Sequence, residues 1–304
     1  MAGERQILED NGAIDLRASW VPIAAGFGDP TTVIAPDRVV RATRTPQGPA
    51  SFELRRDGTR IVVEAFGPGA DWVLERAADL VGLTSPPPPL PDHASERIHG
   101  LRAAAAGVRL VRTHRIVEAL VVLVLQQLVR GKEAGRAHRN LVSAISEPAP
   151  GPFDGLMLPL ASDQLRTLRP GALIAHGVLR KQAVTLRELG FHAATLEACT
   201  ELPLADAEQR LQRVRGLGPW TAGSLMVRVM GAADAVIVGD YHLPAFVAYN
   251  LSGETRADDA RMLELLEPYR GLRGWATRWI GAAGKSPPRR GPHRSMRQIP
   301  GRPR

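Results

Sequence analysis

The 304-residue sequence has a single cysteine, Cys199, and only three lysines against 36 arginines. One cysteine excludes an intramolecular disulfide framework, a four-cysteine iron–sulfur cluster and a cysteine-rich zinc site. The eight histidines are scattered without the spacing of metal ligands, which gives a metal hydrolase little support. The scarcity of lysine leaves few amines for Schiff-base chemistry.

Long hydrophobic segments are also missing. The longest uninterrupted apolar run, residues 119–125, has seven residues, whereas a helix that crosses a bilayer needs about 20. The first fifteen residues carry four acids and lack the basic-then-apolar pattern of a secretory signal. We therefore expect a cytoplasmic protein without a membrane partner.

Positive charge is concentrated at the C-terminus. The net charge is +8, but residues 285–304 carry seven basic groups and no acid, so residues 1–284 hold 32 basic and 31 acidic groups. The same twenty residues contain five prolines and little that could pack in a core. We predict that 285–304 is a basic, disordered tail.

Residues 1–90 are predicted to form a small domain built on an antiparallel sheet. Alternating or β-branched residues predict strands at 14–20, 31–34, 39–43, 52–54 and 61–66. Asp57-Gly58 predicts a tight hairpin in which both central residues take a positive φ. Helical spacing over 70–81 predicts a helix that Gly82 terminates.

Residues 91–284 are predicted to form an all-α core. Five prolines between Pro86 and Pro91 interrupt regular structure and indicate an extended linker at the boundary. Beyond it, apolar residues recur every three or four positions, and eight to ten helices fit the chain. No repeat of fixed period is present, so a solenoid is not favoured. The predicted fold class is therefore α+β.

The segment 211–230 carries the strongest functional signal. Gly216 and Gly218 enclose a very short turn between two helical patterns, and Pro219 takes a first-turn position. Such a turn lets the backbone approach a ligand, and the free amides of the second helix suit an anion such as a DNA phosphate. Taken alone, the pattern also fits an ordinary helical hairpin.

A single acid follows this segment. Asp240 comes after four apolar or glycine residues and precedes an aromatic residue. An acid in this position is either the N-cap of a helix, a carboxylate held in a cleft, or both.

These two motifs together resemble a known signature. V-x-G-L-G-P-W-T-A at 214–222 and G-D-Y-H-L-P at 239–244 are similar to the helix-hairpin-helix, Gly/Pro-rich loop and aspartate of one superfamily of DNA glycosylases. Within it, the chain most resembles the bacterial inducible 3-methyladenine DNA glycosylases, the actinobacterial kind in particular. The resemblance covers most of residues 12–284, including the predicted sheet domain.

The resemblance implies roles for the hairpin and the acid. Asp240 falls at the catalytic aspartate, and Gly216, Gly218 and Thr221 match the hairpin that grips a phosphate. In the family, carbonyl oxygens of the hairpin also hold a monovalent cation, Na⁺ or K⁺. The matching carbonyls here are those of Gln212, Val214 and Leu217.

Further residues are assigned in the same way. Leu128 matches the side chain that wedges into the duplex, with a buried core leucine as the alternative. Trp220 lies where bifunctional members have a lysine, and Trp220 and Tyr241 are expected at the base pocket, although core packing or an indirect role also fits them. Trp275 and Trp279 have the spacing of core residues. Gly281 replaces an aromatic residue that stacks on the base in well-studied members.

The chemistry agrees with a monofunctional enzyme. A cationic alkylated purine leaves readily, so one carboxylate that stabilises the sugar is enough. None of the three lysines lies in the hairpin, which argues against a lyase. We expect a monomer acting on double-stranded DNA in the nucleoid, without a required cofactor or an iron–sulfur cluster. Two alternatives stay open: a non-catalytic DNA-binding damage sensor, and a glycosylase of different base specificity.

Overall fold

A computed structural model describes residues 3–288. Its N-terminal part contains five strands in one antiparallel sheet with the order β1-β5-β4-β3-β2. The strands are β1 (Glu4–Glu9), β2 (Thr32–Ala35), β3 (Arg38–Thr45), β4 (Gly48–Asp57) and β5 (Arg60–Phe66). Three short helices accompany the sheet, namely α1 (Leu16–Trp20), α2 (Ala70–Glu75) and α3 (Ala77–Val81).

The remainder of the described chain is helical, and the predicted α+β class is confirmed. Its helices are α4 (Glu96–Ala104), α5 (Ile116–Gln126), α6 (Gly131–Ile145), α7 (Ser162–Thr167), α8 (Pro170–Ala175), α9 (Arg180–Phe191), α10 (Ala193–Glu197), α11 (Leu204–Gln212), α12 (Pro219–Arg228), α13 (Leu243–Leu251), α14 (Asp259–Leu266) and α15 (Arg273–Ala283). These twelve exceed the expected eight to ten because short breaks divide the periodic segments. Pro170, for example, separates α7 from α8, since the residue before a proline avoids the helical conformation.

The predicted strand at 14–20 is wrong, because this segment contains helix α1. Asp15 caps the helix by accepting a hydrogen bond from the Ala18 amide at 2.8 Å. Leu16 and Trp20, which are both buried, lie four residues apart and so share one helical face. A spacing of four residues also places two side chains on the same face of a strand. Seven residues are too few to distinguish the two periods.

The first strand of the sheet was missed for a related reason. β1 is an edge strand that pairs only with β5, and nearly all of its side chains are exposed. Its sequence therefore has no apolar alternation to reveal it.

Two local predictions need adjustment. The β4–β5 hairpin forms as expected, but its loop is Gly58-Thr59, and of these two residues only Gly58 has a positive φ, of 61°. The helical segment 70–81 is divided at Arg76 into α2 and α3. Gly82 ends α3 in the left-handed conformation, as predicted.

The proline-rich segment contains no helix or strand between α3 and α4. Leu90 within it packs against the core formed by α4, α13 and α15. The division of the chain near residue 90 stays a prediction. Residues 289–304 of the predicted tail lie outside the described residues. Between residues 3 and 288, no helix has the length and apolar character needed to span a membrane.

The sheet is joined to the helical part through α5. The buried Glu118 carboxylate accepts hydrogen bonds from the Thr43 hydroxyl at 2.9 Å and the Arg44 amide at 2.7 Å. Arg41 lies 3.3 Å from the same carboxylate. At the start of α5, Glu197 accepts from the amides of Ile116 and Val117. Glu118 therefore fixes the start of α5 relative to the sheet, and Glu197 fixes it relative to α10.

Candidate active site

The predicted hairpin is present between α11 and α12. Gly216 has φ +91°, and a Cβ built there would lie 2.1 Å from the hydroxyl oxygen of Thr185. Only glycine fits this position, because both the conformation and the space exclude a side chain. Gly218 precedes α12, and Pro219 is the first helical residue. A Cβ at Gly218 would meet nothing within 4 Å, so the front of the turn is open.

Gln127 connects the end of α5 to the hairpin. Its amide nitrogen donates to the Gly216 carbonyl and to the Thr221 hydroxyl, both at 2.9 Å. Gln182 donates in turn to the carbonyls of Leu125 and Gln127, at 3.0 and 2.7 Å. Neither glutamine was predicted as a site residue, because a polar residue near a helix end carries no distinctive pattern.

Leu128 follows directly and is not a core leucine. Its side chain is 73% exposed, and its backbone has φ +62°. A leucine in the left-handed region is unfavourable by about 1–2 kcal/mol, and its exposure gives little burial to offset this. The backbone thus holds an apolar side chain in solvent beside the hairpin.

Asp240 lies two residues before His242, the N-cap of α13, and its carboxylate is held both by the start of this helix and by α12. One oxygen accepts from the amides of His242 and Leu243 at the start of α13, at 2.8 and 2.9 Å. The other oxygen accepts from the indole N–H of Trp220 at 2.8 Å. Burial acts to raise the pKa of Asp240, but these hydrogen bonds and the charge of Arg228 outweigh it and hold the pKa below its usual value. Asp240 is therefore ionised at neutral pH.

The aromatic residues divide into two groups. Trp275 and Trp279 are fully buried against each other, with ring centroids 5.7 Å apart, as their spacing predicted. Trp220 instead orients Asp240 through its N–H, a contact that no local sequence pattern predicts. Tyr241 is 91% exposed and contacts the His242 ring. Its expected place at a base pocket, like that of Trp220, stays a prediction.

The last helix leaves space where the resemblance implies an aromatic residue. A Cβ at Gly281 on α15 would meet no atom within 4 Å. Three residues earlier, Arg278 is buried and donates to the carbonyl of Ala18 in α1, at 3.1 Å. Helix α15 therefore contacts α1 through Arg278, three residues before Gly281.

Arg228, the last residue of α12, was not identified from the sequence. Its guanidinium donates to the side-chain oxygen of Gln126 at 3.1 Å. Burial lowers the pKa of Arg228, while the charge of Asp240 acts in the opposite direction. Arg228 thus lies between the end of α5 and Asp240. An arginine at a helix C-terminus is common, so no sequence pattern identified Arg228 as a site residue.

Carbonyl oxygens are the ligands available for a cation at the hairpin. The Val214 carbonyl accepts the Leu217 amide at 3.0 Å and keeps a second lone pair. Gln212 and Leu217 supply the other two predicted carbonyls. Oxygen donors of this kind fit a hard cation such as Na⁺ or K⁺. Within residues 3–288, no cluster of His, Cys, Asp or Glu suits a metal ion.

Comparisons with known proteins give matches in structure alone. No family model and no curated protein sequence matches the chain. A 3-methyladenine DNA glycosylase from Archaeoglobus fulgidus superimposes with a TM-score of 0.72 at 16% identity, covering 91% of this chain and 97% of that one. The fold is that of the helix-hairpin-helix DNA glycosylases.

Two further glycosylases with this fold match less closely. An 8-oxoguanine glycosylase/lyase from Clostridium acetobutylicum, in complex with double-stranded DNA, has a TM-score of 0.67 at 13% identity and covers 93% of this chain and 97% of its own. A 3-methyladenine DNA glycosylase from Schizosaccharomyces pombe, in complex with abasic DNA, has a TM-score of 0.52 at 18% identity, covering 62% and 91%. The superfamily fold expected from the two sequence motifs is therefore confirmed.

Proposed function

We propose that this protein is a monofunctional DNA glycosylase of base excision repair that removes alkylated, 3-methyladenine-like bases from double-stranded DNA. The observation that carries the proposal is the ionised Asp240, which three N–H donors hold beside a glycine hairpin. Neighbours with the same fold are DNA glycosylases, two of them in complex with DNA.

The reaction needs a carboxylate and a means of extracting the base. As the N-glycosidic bond breaks, positive charge develops on the sugar, and the Asp240 carboxylate stabilises that charge or orients the attacking water. Removing the base from the stack requires a few kcal/mol. Leu128 fills the space that the base leaves in the duplex, because its apolar side chain is already exposed on the protein surface.

The hairpin fixes the DNA backbone. The turn is open in front of Gly218, which lets a phosphate approach the Trp220 amide in the first turn of α12; Pro219 has no amide hydrogen, and the Thr221 amide donates to the Gly218 carbonyl. The carbonyls of Gln212, Val214 and Leu217 would hold a monovalent cation, which supplies positive charge to the same phosphate. Thr221 is 2% exposed and hydrogen-bonded to Gln127, so its contribution is to fix the turn relative to Leu128.

The decisive experiment uses Asp240→Asn and a matched control, Asp206→Asn, on the exposed first turn of α11. Single-turnover release of 3-methyladenine from a methylated duplex should be abolished by the first change and unaffected by the second. Both variants should remain folded and keep the wild-type affinity for an abasic-site duplex. Asp240→Asn should unfold at a lower urea concentration than the wild type, because an amide nitrogen cannot accept the Trp220 N–H bond. Release at the wild-type rate by Asp240→Asn contradicts the assignment, and DNA binding without any release by the wild type favours a damage sensor.

A further inference from the structure

Asp259, the first residue of α14, contacts the turn that carries Asp240. One oxygen of its carboxylate accepts a hydrogen bond from the Gly239 amide at 2.8 Å. Gly239 directly precedes Asp240 in the chain. Helix α14 therefore holds the backbone one residue before the carboxylate to which the proposed function assigns the chemistry.

Gly239 is the residue at which this turn could move most easily. It is exposed and has φ +77°, and the nearest atom to a Cβ built there would be the Cβ of Trp220, at 3.7 Å. Glycine has the widest range of accessible backbone conformations. The hydrogen bonds of the Asp240 carboxylate to Trp220 and to α13 orient the side chain, but they do not fix the residue before it. The hydrogen bond from Gly239 to Asp259 supplies that restraint.

Capping of α14 does not account for Asp259. The N-cap is Asp258, whose carboxylate accepts from the Arg261 amide at 2.9 Å, and it already places an acid where the helix dipole favours one. The second carboxylate oxygen of Asp259 is buried and has no hydrogen-bond partner among residues 3–288. Burying such an atom without a partner is destabilising. Stability alone therefore does not favour an aspartate at this position, and its specific contribution is the contact with Gly239.

The contact with Gly239 requires a hydrogen-bond acceptor rather than a negative charge. A carboxylate oxygen and the amide oxygen of an asparagine both accept from a backbone N–H. A second negative charge near Asp240 makes that carboxylate harder to ionise, and Asp240 has to be ionised to stabilise a cationic sugar. The useful property of Asp259 is thus the position of its oxygen, which an asparagine at the same place retains.

We propose that Asp259 is a positioning residue that holds Gly239, and through it Asp240, in the place where the Asp240 carboxylate stabilises the sugar. A displacement of about 1 Å can lower the rate of a catalysed reaction by about 100-fold, whereas DNA affinity depends on the hairpin and on Leu128. Asp259 acts through the Gly239 amide and does not contact the DNA. This inference rests on the proposed function, because Asp240 must be the catalytic carboxylate.

The experiment compares Asp259→Ala, Asp259→Asn and a matched control, Asp258→Ala, in the full chain. Single-turnover release of 3-methyladenine from a methylated duplex is measured over a range of enzyme concentrations, which separates the maximal rate from the half-saturating concentration. Asp259→Ala should lower the maximal rate by about 10-fold and leave the half-saturating concentration unchanged. Asp259→Asn should restore the wild-type maximal rate, because its amide oxygen accepts from Gly239.

The control removes a contact in the same helical turn without affecting Gly239. Asp258→Ala loses the N-cap of α14, so it should unfold at a lower urea concentration than the wild type but keep the wild-type maximal rate. Asp259→Ala should remain folded, because alanine suits a helix and the substitution also removes an unpaired buried oxygen.

Three outcomes contradict the inference while the proposed function is retained. The first is a wild-type maximal rate in Asp259→Ala. The second is an equal loss of rate in Asp258→Ala, which would mean that α14 has only a general structural effect. The third is a maximal rate in Asp259→Asn as low as in Asp259→Ala, which would mean that the hydrogen bond to Gly239 is not what Asp259 contributes. If the wild type itself releases no 3-methyladenine, the proposed function fails and the inference fails with it.

Discussion

Substitutions of Leu128 can separate an effect on the free energy of unfolding from an effect on base extraction, because its backbone is strained while its side chain is exposed. With 73% of the side chain in solvent, replacement by alanine loses only about 0.5 kcal/mol of apolar burial. Alanine at φ +62° keeps the left-handed strain, whereas glycine relieves it. Leu128→Gly should therefore be more stable than Leu128→Ala by about 1 kcal/mol.

Both variants lack the apolar wedge, so both should release 3-methyladenine about 10- to 100-fold more slowly than the wild type. Urea unfolding gives the stability difference, and single-turnover release from a methylated duplex gives the rate. The same pair of substitutions at Leu263, which is 36% exposed in the interior of helix α14, is the control. There alanine should be the more stable, because glycine destabilises a helix. Equal stability of the two Leu128 variants, or wild-type release by either, would refute the reasoning.

Three other predictions concern the acid, the lysines and the tail. Burial raises the pKa of Asp240 and the Trp220 N–H opposes it, so Trp220→Phe should move the acid limb of the rate–pH profile to higher pH. An unmoved limb contradicts the indole's role. Borohydride should trap no protein–DNA adduct, and strands should be cut only after alkali. If the wild type forms an adduct and Lys181→Arg, at the start of α9, does not, the enzyme is a lyase that uses Lys181. Deletion of 289–304, which removes six arginines, should flatten the dependence of log affinity on log salt, and an unchanged slope argues against tail–DNA contacts.

The elements that the sequence predicted well are those that depend on neighbouring residues. β2 to β5 follow from β-branched runs and a glycine turn, and the hairpin follows from Gly216, Gly218 and Pro219. Helix α1 shows the limit of such predictions, because its short segment fits both the helical and the strand period. Only the Asp15 cap distinguishes the helix from a strand.

The contacts that organise the candidate site are of another kind. The hydrogen bond between Trp220 and Asp240 joins residues twenty positions apart, and that between Arg228 and Gln126 joins residues 102 apart. Such pairs depend on how helices pack, and one sequence carries no local trace of them. The exposure of Leu128 was open for the same reason, since a leucine after an apolar helix fits a core equally well.

Helix α5 is fastened at both ends, by Glu197 and Glu118 at its start and by Gln182 at its finish. It therefore forms a rigid support for Leu128, which lies two residues beyond its end. Under the proposed function, the elastic work of opening the duplex then falls on the DNA. Pyrimidine–purine steps bend and unstack more easily than A-tracts. The same damaged base would thus be extracted at different rates in different flanking sequences, because those sequences differ in deformability.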